Sequence, residues 1–273
     1  MKMFFRNRLV VVGLAVTLAL ILTALLAPVL APFDPTAQNL EQGLSPPTPA
    51  HPLGQDKFGR DILSRIIYGA RISLWVGLST ALVSLAIGTT IGAISGYLGG
   101  LTDEIVTRII DILLAFPGIL LALALMAILG PSLNNVIIAL CAVGWVGYAR
   151  LARGQVLAIK EREFVLAAKA LGAGKARIIF VHMAPNILAP LIVEATFGMG
   201  GAIVGEAGLS FLGFGVQPPT PSWGGMLNEG RQFLLIAPHL TTFPGLAIML
   251  VVLGFNFLGD GLRDLLDPRL KGR

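Results

Sequence analysis

Cysteine, histidine and charge are all scarce in this chain of 273 residues. The single cysteine, Cys141, excludes an intramolecular disulfide and sits in an apolar run, where it reads as a small core residue. The three histidines, His51, His182 and His239, are scattered; no pair has metal-ligand spacing, so no metal centre is expected. There is no Gly-x-Ser-x-Gly and no Cys–His arrangement to carry nucleophilic catalysis. Charged residues make up 13% of the chain, roughly half the share of an ordinary soluble domain. The net charge of +5 comes from residues flanking apolar runs, without interleaved aromatics, which argues against a nucleic-acid partner.

What the chain has instead is apolar sequence, 55% of all residues. The run from Leu9 to Ala31 is interrupted only by Thr17 and Thr23 and is long enough to cross ~30 Å of hydrocarbon. Its start at Lys2, Arg6 and Arg8 is like that of a signal peptide. The run is too long for a signal h-region and shows no clear cleavage pattern, so it reads as a retained first helix. Five further spans are expected at about 72–98, 109–129, 134–150, 187–213 and 243–260. The fold class is therefore all-α, a polytopic membrane protein of six transmembrane helices with both termini on one side. With the N-terminus inside, the inner segments hold 14 Lys and Arg, half of them between Arg150 and Arg177, against five outside. The bias places both termini in the cytoplasm of a multi-pass protein in contact with the lipid bilayer. The chain divides into 1–71, a first helix plus an external loop, and 72–273, a core. Within that loop Ile62, Leu63, Ile66 and Ile67 share one helical face, and Asp61 and Arg65 are an i,i+4 pair. This pattern fits a short helix on the outer membrane surface.

In the span 72–98, Thr80, Ser84, Gly88, Gly92, Gly96 and Gly100 recur every fourth residue as a ridge of small side chains. Such a ridge lets two helices approach in lipid, either within the chain or against a second subunit. Gly201 and Gly205 form a weaker copy. Ionisable groups at membrane depth are the places to look for function. Asp111 is expected to pair with Arg108 near the inner surface. Glu194 and Glu206 are the deep carboxylates, fit either to line a polar pore or gate or to cap and tie neighbouring helices.

A charged island separates the fourth and fifth spans. Lys160 to Leu171 reads as a short helix ended by Gly172, and Lys175 to Met183 as a second helix stopping before Pro185. Gly172-Ala-Gly-Lys175 lacks the upstream glycine of a phosphate loop and is followed by Ala176 rather than Ser or Thr, so the chain has no ATPase site of that kind.

The stretch Glu163-Phe-Val-Leu-Ala-Ala-Lys-Ala-Leu-Gly172, followed by Phe180-x-His182-x-x-Pro185-Asn186, resembles the cytoplasmic coupling loop of binding-protein-dependent ABC importer permeases. The branch it resembles is the dipeptide/oligopeptide/nickel one, apart from Ala184 where that branch usually has Leu. His51 to Asp61, Tyr68 to Ser73 and Leu209 to Met226 are similar to the same branch. The resemblance implies a type I importer permease fold, the second of two permeases in an ATP-driven importer of the plasma (inner) membrane. Di- or oligopeptides are the implied substrates, with nickel or a metal chelate as the alternative. An ATP-independent secondary transporter would show inverted repeats and an ion-coupling site, and neither is evident. By the same resemblance, Glu163, Ala167, Ala168, Gly172, His182 and Pro185, in a loop at about 151–186, meet an ATPase. Asp56, Gly59, Arg60 and Asp61 contact an external binding protein or the partner permease. The implied partners are a second homologous permease, two ATP-binding cassette ATPases and a periplasmic or lipoprotein binding protein. ATP and Mg belong to the ATPases, and this chain holds no cofactor.

Overall fold

The computed structural model describes residues 8–266, and its regular elements are helices; the lone bridge between Gln55 and Asp61 is the one piece of β geometry among them. Lys2, Arg6, Arg269, Lys271 and Arg273, which enter the charge count, lie outside those residues. The helices are α1 (Arg8–Leu25), α2 (Ala27–Leu30), α3 (Ile62–Leu98), α4 (Gly100–Leu114), α5 (Gly118–Leu129) and α6 (Leu133–Ile159), then α7 (Glu163–Ala170), α8 (Lys175–Arg177), α9 (Ala184–Phe211), α10 (Trp223–Gly230) and α11 (His239–Leu266). A π-helical stretch, Ile178–Met183, joins α8 to α9, so that Lys175–Phe211 is one continuous rod.

The six expected spans fall on α1, α3, the α4–α5 pair, α6, α9 and α11. Four rods are long and apolar enough to cross a membrane, α4–α5 passes the same test as a pair, and α1 is a shorter apolar helix. Three boundaries differ from expectation. The surface helix and the second span are one 37-residue helix, running unbroken through residues 71 and 72, because no breaker separates them. The 109–129 span is broken: α4 and α5 meet at 88° across Phe116-Pro117. Proline cannot donate a helical bond and pushes its predecessor out of the α region, which accounts for the break. Nor does Pro185 stop the preceding helix. The Ala184 N–H reaches Ile179 O, five residues back, and this wider turn carries the rod past the proline.

The core follows from close backbone approach. A Cβ added to Gly88 or Gly92 would overlap the carbonyl oxygen of Trp145 or Ala149, and one at Gly96 would stand 3.0 Å from that of Arg153. The small-residue ridge of α3 is thus buried against α6 of the same chain, giving van der Waals packing that larger side chains would forbid. The first helix packs on the last, with Gly254 and Gly261 of α11 taking Val16 and Val10 of α1.

Candidate coupling and translocation elements

The 160–186 segment projects from one end of the bundle. After α6 ends at Ile159, Arg162 is extended and α7 begins at Glu163. Helix α7 closes in a Schellman turn: the Gly172 N–H donates to Lys169 O at 2.9 Å, and the Ala173 N–H to Ala168 O at 3.0 Å. Gly172 has φ +79°, the left-handed value that glycine adopts without strain. A new side chain there would meet nothing of this chain within 4 Å. Glu163, Ala167, Gly172 and Pro185 are exposed, His182 is half-buried, and Ala168 is buried. Around them Phe164, Leu166, Leu171, Phe180 and Val181 also face outward, an apolar rim about a small-residue centre.

The opposite side of this unit is locked to the bundle. Val165 and Ala168 pack into a cluster with Ile178, Ile179, Met183, Ile187 and Leu191, and through Val156 and Ala152 it reaches Tyr148 of α6. Arg153, on the same end of α6, makes a two-pronged ion pair with Asp103 of α4, both N···O distances 2.6 Å, and the Ser95 hydroxyl donates to that carboxylate at 2.6 Å. Lys169 lies 5.5 Å above the Tyr97 ring. Arg108 pairs with Glu104, one turn earlier on α4, at 3.6 Å and not with Asp111 as expected, although spacing puts both carboxylates within reach.

Glu194 and Glu206 have different surroundings. Glu206 is fully buried and accepts a 2.6 Å hydrogen bond from the Ser210 hydroxyl one turn along α9. Glu194 lines a cavity of about 530 Å³ between α3, α5, α6 and α9, together with Thr80, Ser84 and Tyr148. Gly201 lines the same space with nothing within 4 Å of an added Cβ, whereas Gly205, also at its wall, lies close against Leu140 of α6. A second cavity of about 420 Å³, toward the α7 end, is lined by Glu194, Phe197 and Arg263, so the carboxylate borders both. Ser84, at the end of the ridge, belongs to the first cavity, whereas Gly88, Gly92 and Gly96 are closed against α6.

At the other end of the bundle, Asp56, Gly59, Arg60 and Asp61 are all buried. Arg60 joins Asp56 at 2.6 Å and Glu229 of α10 at 2.5 Å. Asp61 caps α3 by accepting from the Ser64 N–H at 2.7 Å and also meets His51 Nδ1 at 2.9 Å. Arg65 therefore pairs with Asp56 and Glu229, each at 3.5 Å, and not with Asp61, whose oxygens are engaged in the cap. Gly59 has φ +70°, and a Cβ there would overlap the Asn39 carbonyl. Asp34, exposed in the same loop, is held below its ordinary value by hydrogen bonds from the Thr36 hydroxyl and N–H. The Glu229 partnership of Arg60 and Arg65, spanning more than 160 residues of sequence, has no signal in residue spacing.

A bundle of apolar helices with open clefts between them, and a compact helical unit fixed to one end, defines a membrane permease. Its fold is that of the inward-facing MetNI methionine ABC transporter, with a TM-score of 0.60 over 74% of this chain and 96% of that chain, at 19% identity. The chain belongs to the family described as binding-protein-dependent transport system inner membrane component, which matches residues 88–272. Residues 1–47 match the N-terminal transmembrane domain of oligopeptide transport permease C. It is 51% identical to the dipeptide transport system permease protein DppC of Alkalihalophilus pseudofirmus, over 99% of this chain and 89% of that protein. Identity to the Haemophilus influenzae protein of the same name is 49%, over 98% and 93%. Identity to the glutathione transport system permease protein GsiD of Pectobacterium atrosepticum is 46%, over 99% and 90%.

Proposed function

We propose that this chain is the second, pore-forming permease of an ATP-driven importer of short peptides. The relatives named for dipeptides and for glutathione favour a peptide over a metal chelate. In this reading the partners are a homologous permease, two ATP-binding cassette ATPases that hold ATP and Mg, and an external binding protein that supplies the peptide. The chain itself catalyses no reaction. Residues to 71 add one span and an external loop to a transport core of 72–273, and both termini lie in the cytoplasm with α7.

The observation that carries the reading is the surface around α7. Ala167 and Gly172 expose little but backbone inside an apolar rim, while Val165 and Ala168 anchor the same helix in the bundle core. Such a surface admits a partner closely and moves as one body with the bundle, as an alternating-access lever must. His182 and Pro185 shape the base of that lever beside the π-helical turn. At the other end, buried Asp56, Gly59, Arg60 and Asp61 do not touch a partner directly; they hold the 32–61 loop in the shape that the binding protein or partner permease meets.

The test is mild-detergent capture of the tagged chain from its native membrane, with mass spectrometry of what accompanies it. Recovery of an ATPase and a second permease is the expected result. Recovery of the chain alone, still transporting without ATP, would overturn the reading.

A further inference from the structure

Four polar side chains, Thr80, Ser84, Tyr148 and Glu194, line the 530 Å³ cavity. Thr80 and Ser84 of α3 and Tyr148 of α6 are 5%, 1% and 5% exposed; the Thr80 and Ser84 hydroxyls lie beside the Cys141 thiol, whereas the Tyr148 hydroxyl has no hydrogen-bond partner among the described residues. Native interiors satisfy buried polar atoms almost without exception, so an unpartnered tyrosine hydroxyl in the wall that Glu194 shares marks a place where polar matter is received. Glycines make room for these side chains: a Cβ on Gly198 would overlap the Tyr148 hydroxyl, and one on Gly144 would stand 2.8 Å from Ser84 Oγ.

Charge selects the visitor. Among the described residues Glu194 is the only acidic or basic one lining this cavity; apart from Thr80, Ser84 and Tyr148 the wall is glycine, alanine and aliphatic side chains. An anionic group would face an uncompensated carboxylate, whereas a cation with N–H donors satisfies it. The volume lies in the ~300–1,000 Å³ range of small-molecule sites.

We propose that this cavity is a transit site for the primary ammonium end of the imported peptide. Glu194 is the counter-charge and accepts the ammonium hydrogens, with Tyr148 beside it in the wall. Glu194 also borders the 420 Å³ cavity that Arg263 lines; that guanidinium repels an ammonium, so the grip belongs to the first cavity. The proposal rests on the peptide-importer reading and adds where the peptide is gripped.

The experiment uses the complete importer in proteoliposomes, with its binding protein, and measures radiolabelled dialanine taken up per ATP hydrolysed. Glu194→Gln should lower that ratio about tenfold while binding-protein-stimulated ATP hydrolysis persists, the scale of one charge-assisted contact. Glu194→Asp should recover most of the loss, and Tyr148→Phe should lower the ratio several-fold with the ring retained. Wild-type uptake per ATP in Glu194→Gln would overturn the site alone. Equal collapse of uptake and stimulated ATP hydrolysis in both Glu194 variants would assign the residue a structural role and also overturn it. A wild-type complex that imports no dipeptide would instead overturn the peptide reading, and the ammonium site with it.

Discussion

Replacing Gly172 by aspartate separates what the residue does for folding from what it does for a partner. In the fold, the new residue must hold φ +79°. A left-handed conformation costs an L-residue roughly 1–2 kcal/mol, with aspartate toward the low end. A negative charge at the C-terminus of α7 adds about 0.3–1 kcal/mol of repulsion from the helix dipole. Nothing of the chain lies within 4 Å of the added Cβ, so there is no clash term. The total, about 2 kcal/mol, is confined to a surface turn, and the chain should accumulate in the membrane near wild-type levels. Against an ATPase the cost is larger. An unpaired carboxylate carried into a closed protein contact costs about 3–5 kcal/mol, more than a hundredfold in docking. In proteoliposomes the variant should lose at least tenfold in peptide uptake and lose stimulation of ATP hydrolysis by loaded binding protein. Gly172→Ala, which keeps the backbone strain without the charge, should fall between. Gly174→Asp, exposed at φ −66° and equally free of neighbours, should be milder than Gly172→Asp. Normal uptake by Gly172→Asp would refute the contact at the end of α7.

Gly92→Ala pushes a methyl group onto the Ala149 carbonyl and should cost about 1–3 kcal/mol in detergent thermal unfolding, whereas Gly154→Ala, exposed on α6 with open space, should gain about 0.5–1 kcal/mol; equal shifts for the two would sink the α3–α6 packing argument. Arg60→Ala removes the nearer of the two buried cations that Asp56 and Glu229 share and leaves Arg65 at 3.5 Å, a loss of about 1.5–3 kcal/mol that limited proteolysis of the 32–61 loop should register; a loop no more cleavable than wild type would contradict it. Asp103→Asn and Arg153→Gln should show a coupling of about 1 kcal/mol in a double-mutant cycle of thermal stability, since the pair is two-pronged but partly exposed; strict additivity would mean that it ties nothing.

Local chemistry made part of this fold readable in advance. The stop at Gly172 is a four-residue event, complete within its own turn, so the end of α7 was visible in sequence. The small-residue ridge of α3 was visible too, although its partner, α6 of the same chain, was not, because spacing names a face without naming what covers it. Pro117 and Pro185 obey one rule with opposite outcomes. At Pro117 the chain bends by 88°, whereas at Pro185 a π turn absorbs the missing donor and the rod continues. Neighbouring packing decides between the two, and sequence does not record it. Apolar composition hides still more: Leu253 is 40% exposed and Phe255 is 1% exposed on the same helix. In lipid both environments favour the same residue types, so hydrophobic period does not separate them. Glu194 and Glu206 were equivalent candidates on one span, and only their surroundings assign one to a cavity and the other to Ser210.

The base of α9 joins a stiff contact to a soft backbone, and this combination suits the proposed lever. Side chains from Val165 and Ala168 through Met183, Ile187 and Leu191 form one packed cluster that ends at Tyr148, itself a wall of the cavity beside Glu194. Close-packed interiors transmit displacement instead of absorbing it. The backbone along the same path is weakened twice, by the π turn at Ile178–Met183 and by Pro190, which removes a bond inside α9. A push on α7 therefore reaches the cavity wall through side-chain contact, while the rod carrying Glu194 bends where its ladder is thinnest. Reversing that assignment, with a regular ladder and a loose cluster, would let α7 move without consequence for the cavity.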